Sequence, residues 1–240
     1  MVDTFTNKSL GNNSDGSAGS NPEHHSDARN ALRKNLRDAR RALSQQALDE
    51  AADALLPNVL GALHQLEVNQ PLSRVAGYLA FQGEIDVAPV MRALRDRNIT
   101  TYVPMLDGEV LQFAPWNDQT PYTTNRFGII EPTVPKEQWL SAQQLDAVLV
   151  PLVAFDNEGH RMGMGGGFYD KTFAHKRDQL SPPWLLGVAH ELQRVESVFP
   201  EWWDVKLDNI ITDKCLIQLK TTASTFKCFL VNYRYEQHKS

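Results

Sequence analysis

Residues 149–171, LVPLVAFDNEGHRMGMGGGFYDK, carry the strongest structural signal in this chain. An apolar run ends at Phe155, and after an acidic turn come Arg161, a group of closely spaced glycines, two aromatic residues and Asp170. The run predicts a buried strand, and the segment from Gly167 onward predicts the start of a helix. Glycines at such a junction let the backbone turn tightly and approach a ligand closely, and free N–H groups at a helix start attract anions.

The glycine-rich stretch matches neither common phosphate-binding signature. A Walker loop needs a lysine where this chain has reached its aromatic pair, and in a dinucleotide fingerprint Phe168 would occupy the last glycine position. A glycine-rich turn with no ligand is the alternative, but so many glycines cost considerable backbone entropy. We therefore favour nucleotide binding, with Arg161 as a mobile charge and Asp170 within reach of a phosphate-bound metal ion.

Composition predicts one globular domain with two extensions. The chain has 240 residues, 42% of them hydrophobic, and a formal net charge of −5. Residues 1–25 are rich in Ser, Asn, Gly and Asp, which predicts a disordered extension without the pattern of a signal peptide. We expect an α/β domain over residues 26–220 and a C-terminal extension of unknown role over residues 221–240.

The same composition argues against several functional classes. The acidic excess argues against a general nucleic-acid binder, and the longest apolar run, residues 145–155, is too short to span a bilayer. Cys215 and Cys228 have no metal-binding or redox spacing, so we predict free thiols in a reducing compartment.

Periodicity predicts alternating helices and strands. A helix is expected from Ser26 or Asp27 to about Leu43, a second one capped by Ser44 reaches about Leu66, and a third covers residues 87–97. Strands are predicted at residues 74–80, 99–103, 110–114, 145–152, 184–189, 209–212 and 215–219. This order predicts a mostly parallel sheet covered on both faces. Residues 116–140 are predicted to be mostly loop.

The first helix carries a row of basic residues. Arg33, Arg37 and Arg41 recur every four residues, with Arg29 one turn earlier. The row is either a solvated basic face or a set of bidentate contacts to phosphate or carboxylate, and the sequence leaves both readings open.

Two further carboxylates are candidates for a site. The segment 79–86 follows a strand and precedes a helix, which places it at the ligand-binding carboxyl edge of a parallel sheet. Asp86 is explained as a helix cap. Glu84 is either a ligand for N–H groups or an exposed loop carboxylate, and Asp204 is a possible second metal carboxylate.

Five motifs in order resemble one protein family. They are R-K-N-L-R at 33–37, F-Q-G-E-I-D at 81–86, G-I-I-E-P at 128–132, P-L-V-A-F-D-x-x-G-x-R-M-G-M-G-G-G-F-Y-D at 151–170 and W-D-V-K-L-D at 203–208. They are similar to those of the 5-formyltetrahydrofolate cyclo-ligases, also called 5,10-methenyltetrahydrofolate synthetases. The resemblance covers about residues 27–220, and the motif at 151–170 is the specific one.

The resemblance implies a fold and a reaction. The fold would be a three-layer α/β/α sandwich, and the reaction would convert 5-formyltetrahydrofolate into 5,10-methenyltetrahydrofolate with Mg²⁺ and with ATP as co-substrate, releasing ADP and phosphate. The γ-phosphoryl would pass to the formyl oxygen to give an imidoyl phosphate, and the folate N10 would then displace phosphate. Such chemistry needs positioning and charge neutralisation rather than a protein nucleophile.

The resemblance also assigns roles to residues. Magnesium would be bound by Asp170 and Asp204, and the folate by Arg37, Leu79, Glu84 and Phe168, whereas the role of Glu131 stays open. Arg33 stands where the family often has lysine, and Phe168 replaces a commoner tyrosine. The implied ATP-binding residues are Arg33, Lys34, Asn35, Leu36, Arg37, Arg161, Met162, Gly163, Met164, Gly165, Gly166, Gly167, Phe168 and Tyr169.

The partners expected from this reading are the two small-molecule substrates, without nucleic acid or membrane. We expect a cytoplasmic monomer, with a dimer as the alternative. Two other functions stay open at this point: an isomerase or acyl-CoA transferase of related architecture that needs no ATP, and a folate- or nucleotide-binding regulator without turnover.

Overall fold

The structure is a computed structural model that describes residues 22–68, 71–124, 130–178, 182–219 and 228–229. Its helices are α1 (Pro22–Arg41), α2 (Gln45–Glu67), α3 (Ala88–Arg95) and α4 (Phe168–Thr172). Its strands are β1 (Arg74–Ala76), β2 (Thr100–Asp107), β3 (Val110–Pro115), β4 (Tyr122–Thr124), β5 (Ile130–Pro132), β6 (Ala147–Pro151), β7 (Ala154–Phe155), β8 (Arg161–Met162), β9 (Trp184–Ala189), β10 (Asn209–Thr212), β11 (Leu216–Gln218) and β12 (Cys228–Phe229).

The main sheet has eight strands in the order β12-β11-β10-β9-β6-β1-β2-β3. The central strands from β10 to β2 pair in parallel, whereas β3 on one side and β11 and β12 on the other pair antiparallel. The predicted mostly parallel sheet is therefore confirmed. All central strands end at one edge, so the loops that follow them lie together.

Both faces of the sheet are buried, which confirms the three-layer architecture. On β6, Ala147 and Leu149 belong to the core beneath α2 and α3, whereas Val148 and Val150 belong to the core on the opposite face. Alternation with a period of two puts successive side chains on opposite faces, so an uninterrupted apolar run is what a strand covered on both sides requires. The second face is covered by α4 and by short 3₁₀ turns such as Ala142–Gln144 and Ala174–Asp178.

The two N-terminal helices test the boundary predictions. Ser44 caps α2 as predicted, because its hydroxyl accepts the Ala47 N–H at 3.2 Å. The predicted start of α1 at Ser26 or Asp27 is wrong: the helix begins at Pro22, inside the predicted extension 1–25. Proline is favoured at a first helical position because its fixed φ suits the helix and its missing N–H would have no helical partner. Residues 1–21 lie outside the described residues.

Two small ribbons are absent from the sequence prediction. The predicted loop 116–140 contains the antiparallel pair β4–β5. Between β6 and the glycine-rich stretch, β7 and β8 form a second pair, so the apolar run is not one strand ending at Phe155. Gly167 is the N-cap of α4, so the helix starts where predicted, but α4 spans only five residues.

The cysteine prediction is wrong for Cys215, which is disulfide-bonded, and no cysteine in the described part of the chain is free. Antiparallel pairing of β11 with β12 folds part of the predicted extension 221–240 back beside the sheet, which spacing in the sequence does not indicate. The rest of that extension lies outside the described residues. In the part of the chain that the structure describes, no helix has the length and apolar character needed to cross a membrane.

Candidate active site

The site lies where α1 meets the loops that follow β1, β6 and β8. The Arg33 Nε donates to the Gly163 carbonyl at 3.0 Å, and Arg40 Nη1 donates to the Leu152 carbonyl at 3.1 Å. Leu32 and Leu36 pack against the small apolar cluster of Ala154, Met162 and Val198. Polar and apolar contacts together therefore hold α1 against the carboxyl edge of the sheet.

The glycine loop, residues 163–167, leaves its backbone open to a ligand. Gly165 and Gly167 have φ values of +105° and +67°, which favour glycine because a Cβ is strained there. A Cβ added at Gly163 or Gly167 would meet no atom within 4 Å. The loop is therefore a cradle whose main chain an anion can approach, although α4 behind it is a single turn.

A glycine cleft of about 200 Å³ runs along this loop. Its lining includes Arg161, Phe168, Tyr169 and Asp170 besides the glycines. In the described part of the chain, the buried Tyr169 hydroxyl and the buried Nε of Arg37 have no hydrogen-bond partner. Burial, and secondarily Glu84, raises the pKa of Tyr169, so its hydroxyl stays protonated and can donate. Unsatisfied buried donors are costly, and an anionic ligand would satisfy them.

A larger cleft of about 380 Å³ opens beside the glycine cleft. Leu79, Phe81 and Trp116 give it apolar walls, and Tyr78 and Arg95 add polar groups. Its size and mixed lining are typical of a site for a small organic ligand. Glu84 lines both clefts.

Glu84 is the residue at which the two clefts meet, and it is held firmly. One carboxylate oxygen accepts the Phe81 N–H at 3.1 Å, and the other lies 3.5 Å from Arg40 Nη2. The side chain is 16% exposed, so the alternative of an exposed loop carboxylate is wrong. Burial raises the pKa of Glu84, and the charge of Arg40 and the Phe81 N–H oppose that rise.

Sequence reasoning missed Arg40. Its side chain is 2% exposed, and its Nε donates to the Gln82 carbonyl at 3.1 Å. Arg41, which the sequence analysis placed in the basic row, is more exposed and bonds the Gln82 side chain instead. Each step of four residues overshoots a helical turn by about 40°. The row 29–33–37 therefore continues at Arg40 rather than at Arg41, a signal that the sequence does contain.

The other predicted residues of α1 divide into two groups. Arg33 contacts the glycine loop, and its pKa is lowered mainly by burial and then by the charges of Arg29 and Arg37. Lys34 is 77% exposed and pairs with Asp38 at 3.1 Å, and Asn35 is also exposed. The structure thus brings Arg33 to the glycine loop and places Arg37 near Arg33 and Arg40, whereas Leu36 packs in the apolar cluster and Lys34 and Asn35 are exposed.

Asp170, one of the two predicted magnesium residues, bonds the backbone of Val205, the residue that follows the other, Asp204. Asp170 Oδ1 accepts from Arg161 Nη2 at 2.8 Å and from the Val205 N–H at 3.0 Å. Asp204 Oδ2 accepts from Arg29 Nη1 at 3.1 Å and from the Glu201 N–H at 2.9 Å.

The two carboxylates offer oxygen, the ligand atom that magnesium prefers. No cluster of three or more metal-ligating side chains occurs in the described ranges. Magnesium is usually bound through one or two carboxylates together with substrate phosphates and waters. Asp170 bonds through Oδ1 and Asp204 through Oδ2, so the second oxygen of each carboxylate is the atom that it could offer to such an ion.

Comparison with known proteins identifies the family of this chain. Residues 25–213 match the model of the 5-formyltetrahydrofolate cyclo-ligase family. The 5-formyltetrahydrofolate cyclo-ligase of Haemophilus influenzae is 33% identical over 186 residues, which cover 76% of this chain and 96% of that protein. The Escherichia coli K12 cyclo-ligase is 37% identical over 142 residues, 58% of this chain and 76% of the relative.

A solved structure agrees as well. The NMR structure of Aquifex aeolicus 5,10-methenyltetrahydrofolate synthetase superposes with a TM-score of 0.66 at 25% identity, covering 88% of this chain and 99% of that one. The resemblance predicted from the sequence motifs is confirmed. The chain belongs to the 5-formyltetrahydrofolate cyclo-ligase family of enzymes.

Proposed function

We propose that this enzyme converts 5-formyltetrahydrofolate into 5,10-methenyltetrahydrofolate at the expense of ATP, releasing ADP and phosphate. The observation that carries the proposal is that Glu84 lines both clefts. A nucleotide in one cleft and a folate in the other would therefore meet at one point. Family membership supports the same reaction.

In this proposal the nucleotide phosphates bind in the glycine cleft. The open N–H groups of the glycine loop, the Arg33 guanidinium beside Gly163 and the unpartnered Arg37 Nε and Tyr169 hydroxyl would surround them. Donors fixed in advance of binding stabilise a transferring phosphoryl group without reorganising. Met164 and Phe168 line this cleft and would give it its apolar contacts, whereas Met162, predicted as an ATP-binding residue, is fully buried in the apolar cluster with Ala154 and Val198.

The folate binds in the larger cleft. Its pterin N–H groups would donate to Glu84, and Leu79 would pack beside the ring system, which Phe168 would reach from the glycine cleft that it lines. A carboxylate that has lost most of its water gives a strong hydrogen bond to such donors.

The chemistry then proceeds in two steps. The formyl oxygen attacks the γ-phosphorus of ATP, the bond to the ADP oxygen breaks, and an imidoyl phosphate forms. The folate N10 attacks the activated carbon, the C–O bond breaks with release of phosphate, and N10 loses its proton. N10 is held in the same molecule as the carbon it attacks, so proximity replaces a protein nucleophile.

Asp170 and Asp204 would hold Mg²⁺. When bound, the ion neutralises charge on the phosphates. Arg161 and Arg29 keep the two carboxylates in place from the protein side.

An absorbance assay tests this proposal. Wild-type protein with magnesium should produce methenyl-folate absorbance only when ATP and 5-formyltetrahydrofolate are both present, with one ADP released per product. Turnover without ATP would favour an isomerase or transferase, and calorimetric binding without ADP release would favour a regulator. Either result would contradict the proposed function.

A further inference from the structure

Arg40, near the end of α1, joins that helix to two loops of the site. Its guanidinium donates to the main-chain carbonyls of Gln82 and Leu152, both at 3.1 Å, and its third nitrogen lies 3.5 Å from Glu84. Gln82 follows β1 and Leu152 follows β6, so one buried fork joins α1 to two neighbouring loops at the carboxyl edge.

The loop that carries Glu84 is fixed from two further directions. The Arg40 carbonyl oxygen would lie 2.5 Å from a Cβ at Gly83, where φ is +80°, so α1 packs directly on the backbone there. On the other side, the His190 Nε2 contacts the Gly83 carbonyl at 2.9 Å. The residue next to Gly83 therefore has little freedom to change position.

Other charged groups around Glu84 do not duplicate Arg40. The larger cleft presents Asp49, Asp86, Asp118 and Arg95, and the last two pair with each other at 2.9 Å. The glycine cleft presents Arg161 and Asp170, which also pair with each other at 2.8 Å. Tyr78 and Tyr169 are neutral phenols with raised pKa values, due mainly to burial.

Burial therefore disfavours the carboxylate form of Glu84, and Arg40 is the cation placed to oppose this. Burial is the larger influence and raises the pKa of Glu84, while the Arg40 charge lowers it. A protonated Glu84 would lose charge and part of its capacity to accept hydrogen bonds.

We propose that Arg40 is a positioning residue that keeps Glu84 ionised and oriented toward the junction of the two clefts. This proposal rests on the folate-binding role proposed above for Glu84. The guanidinium fixes the loop through two carbonyls and supplies the opposite charge through its third nitrogen. A lysine, with one compact ammonium, can supply the charge but cannot reproduce the separate contacts of the three guanidinium nitrogens.

The test measures the Glu84 carboxyl titration by carbon-13 NMR in the free protein, assigned with Glu84→Gln. Arg40→Met should raise the Glu84 titration midpoint by about one pH unit or more, the shift that loss of a nearby opposite charge produces. Arg40→Lys should stay close to wild type while lowering the melting temperature. Arg41→Met, a neighbouring change at an exposed arginine, should leave the midpoint unchanged.

Kinetics supply a second readout. The acidic limb of kcat/KM for 5-formyltetrahydrofolate should move to higher pH in Arg40→Met by the same amount, and should not move in Arg41→Met. If Arg40 were only structural, Met and Lys would both lower the melting temperature and neither would move the limb or the midpoint. That result would overturn the proposal.

The proposal can still be tested if Arg40→Met does not fold or if the proposed reaction is wrong. If Arg40→Met does not fold, Arg40→Gln takes its place, and in wild type the Arg40 side-chain nitrogen-15 signals must follow the Glu84 titration. Signals that stay constant through that titration would overturn the proposal. Absence of ATP-dependent turnover in wild type would defeat the proposed function, whereas the titration of free protein needs no substrate.

Discussion

The loop after β1 and the glycine loop after β8 reach the same edge of the sheet, yet they are held in opposite ways. The first is fixed by buried contacts: Arg40 and His190 bond its carbonyls, and Glu84 closes it by accepting the Phe81 N–H. The second has open backbone, with Arg33 on its Gly163 carbonyl as its contact from α1. One loop offers a single charge in a fixed place, and the other offers a main chain in which Met164 is the one residue with a side chain.

This difference suits the two ligands proposed for them. A pterin edge is flat and has a definite pattern of donors, so a fixed acceptor recognises it. A phosphate chain carries its charge on many oxygens, which an open row of N–H groups can satisfy in several arrangements. The contrast predicts different consequences for mutations in the two loops.

The largest effect is expected in the open loop, from Gly167→Ala. The φ of +67° makes alanine unfavourable by about 1–2 kcal/mol of unfolding free energy. A misplaced cradle should also lower kcat/KM for ATP by about a hundredfold. Thermal melting and steady-state kinetics measure both quantities.

Gly108→Ala is the matched control. Gly108 has a φ of +63° with open space around it, and it lines neither cleft. It should lose similar stability and keep its KM for ATP. Equal kinetic losses in the two variants would mean that the glycine loop is only a turn.

The next effect belongs to the fixed loop. Glu84→Gln should raise the KM for 5-formyltetrahydrofolate by about tenfold to a hundredfold, since a hydrogen bond to a charged acceptor contributes about 1.5–3 kcal/mol. The KM for ATP should change much less. Equal losses for both substrates would remove the distinction between the loops.

The same residue predicts a pH dependence. Burial raises the pKa of Glu84, and the ionised form is the one that accepts pterin N–H groups. Folate affinity should therefore strengthen as the pH rises through that raised pKa, and the dependence should disappear in Glu84→Gln. Calorimetric titrations across the acidic range measure this, and a wild-type affinity that is independent of pH would contradict it.

A smaller effect is expected where the glycine loop joins α4. Asp170→Asn keeps an oxygen for Arg161 and Val205, so the fold should persist, but it removes the charge. The magnesium concentration for half-maximal rate should rise by roughly tenfold, a typical loss when a metal site is perturbed. An unchanged magnesium requirement would make Asp170 only the partner of Arg161.

The smallest effect is expected for Arg33→Lys. Lysine keeps the charge but cannot reproduce the planar contact of the guanidinium with the Gly163 carbonyl. The KM for ATP should rise by a few fold, since one neutral-acceptor hydrogen bond contributes about 0.5–1.5 kcal/mol. A hundredfold loss would show that the glycine loop depends on α1 as strongly as the Glu84 loop does.

The sequence predicted the structural elements that depend on hydrophobic periodicity or on local backbone preferences. The apolar strands 184–189 and 209–212, the Ser44 cap and the helix start at Gly167 follow from periodicity and from backbone preferences, and all are present. The β7–β8 ribbon was missed because two-residue strands leave no periodic signal.

The site was predictable only in part, because some of its residues are selected by tertiary packing. Motifs identified Glu84 and the glycine loop, but which of two adjacent arginines is buried depends on the angle at which α1 packs. That angle is set by contacts with residues far away in sequence. The disulfide at Cys215 was missed for the same reason, because it depends on how the chain end pairs with the sheet.

The polar contacts that hold α1 have a consequence for how the enzyme acquires its activity. The bonds from Arg40 to Leu152, Arg33 to Gly163 and Arg29 to Asp204 join residues 112, 130 and 175 positions apart. Closing such long stretches of chain is entropically costly until the intervening structure exists. We expect the sheet to form first and α1 to dock on it last. The enzyme would therefore become active only at that final step of folding.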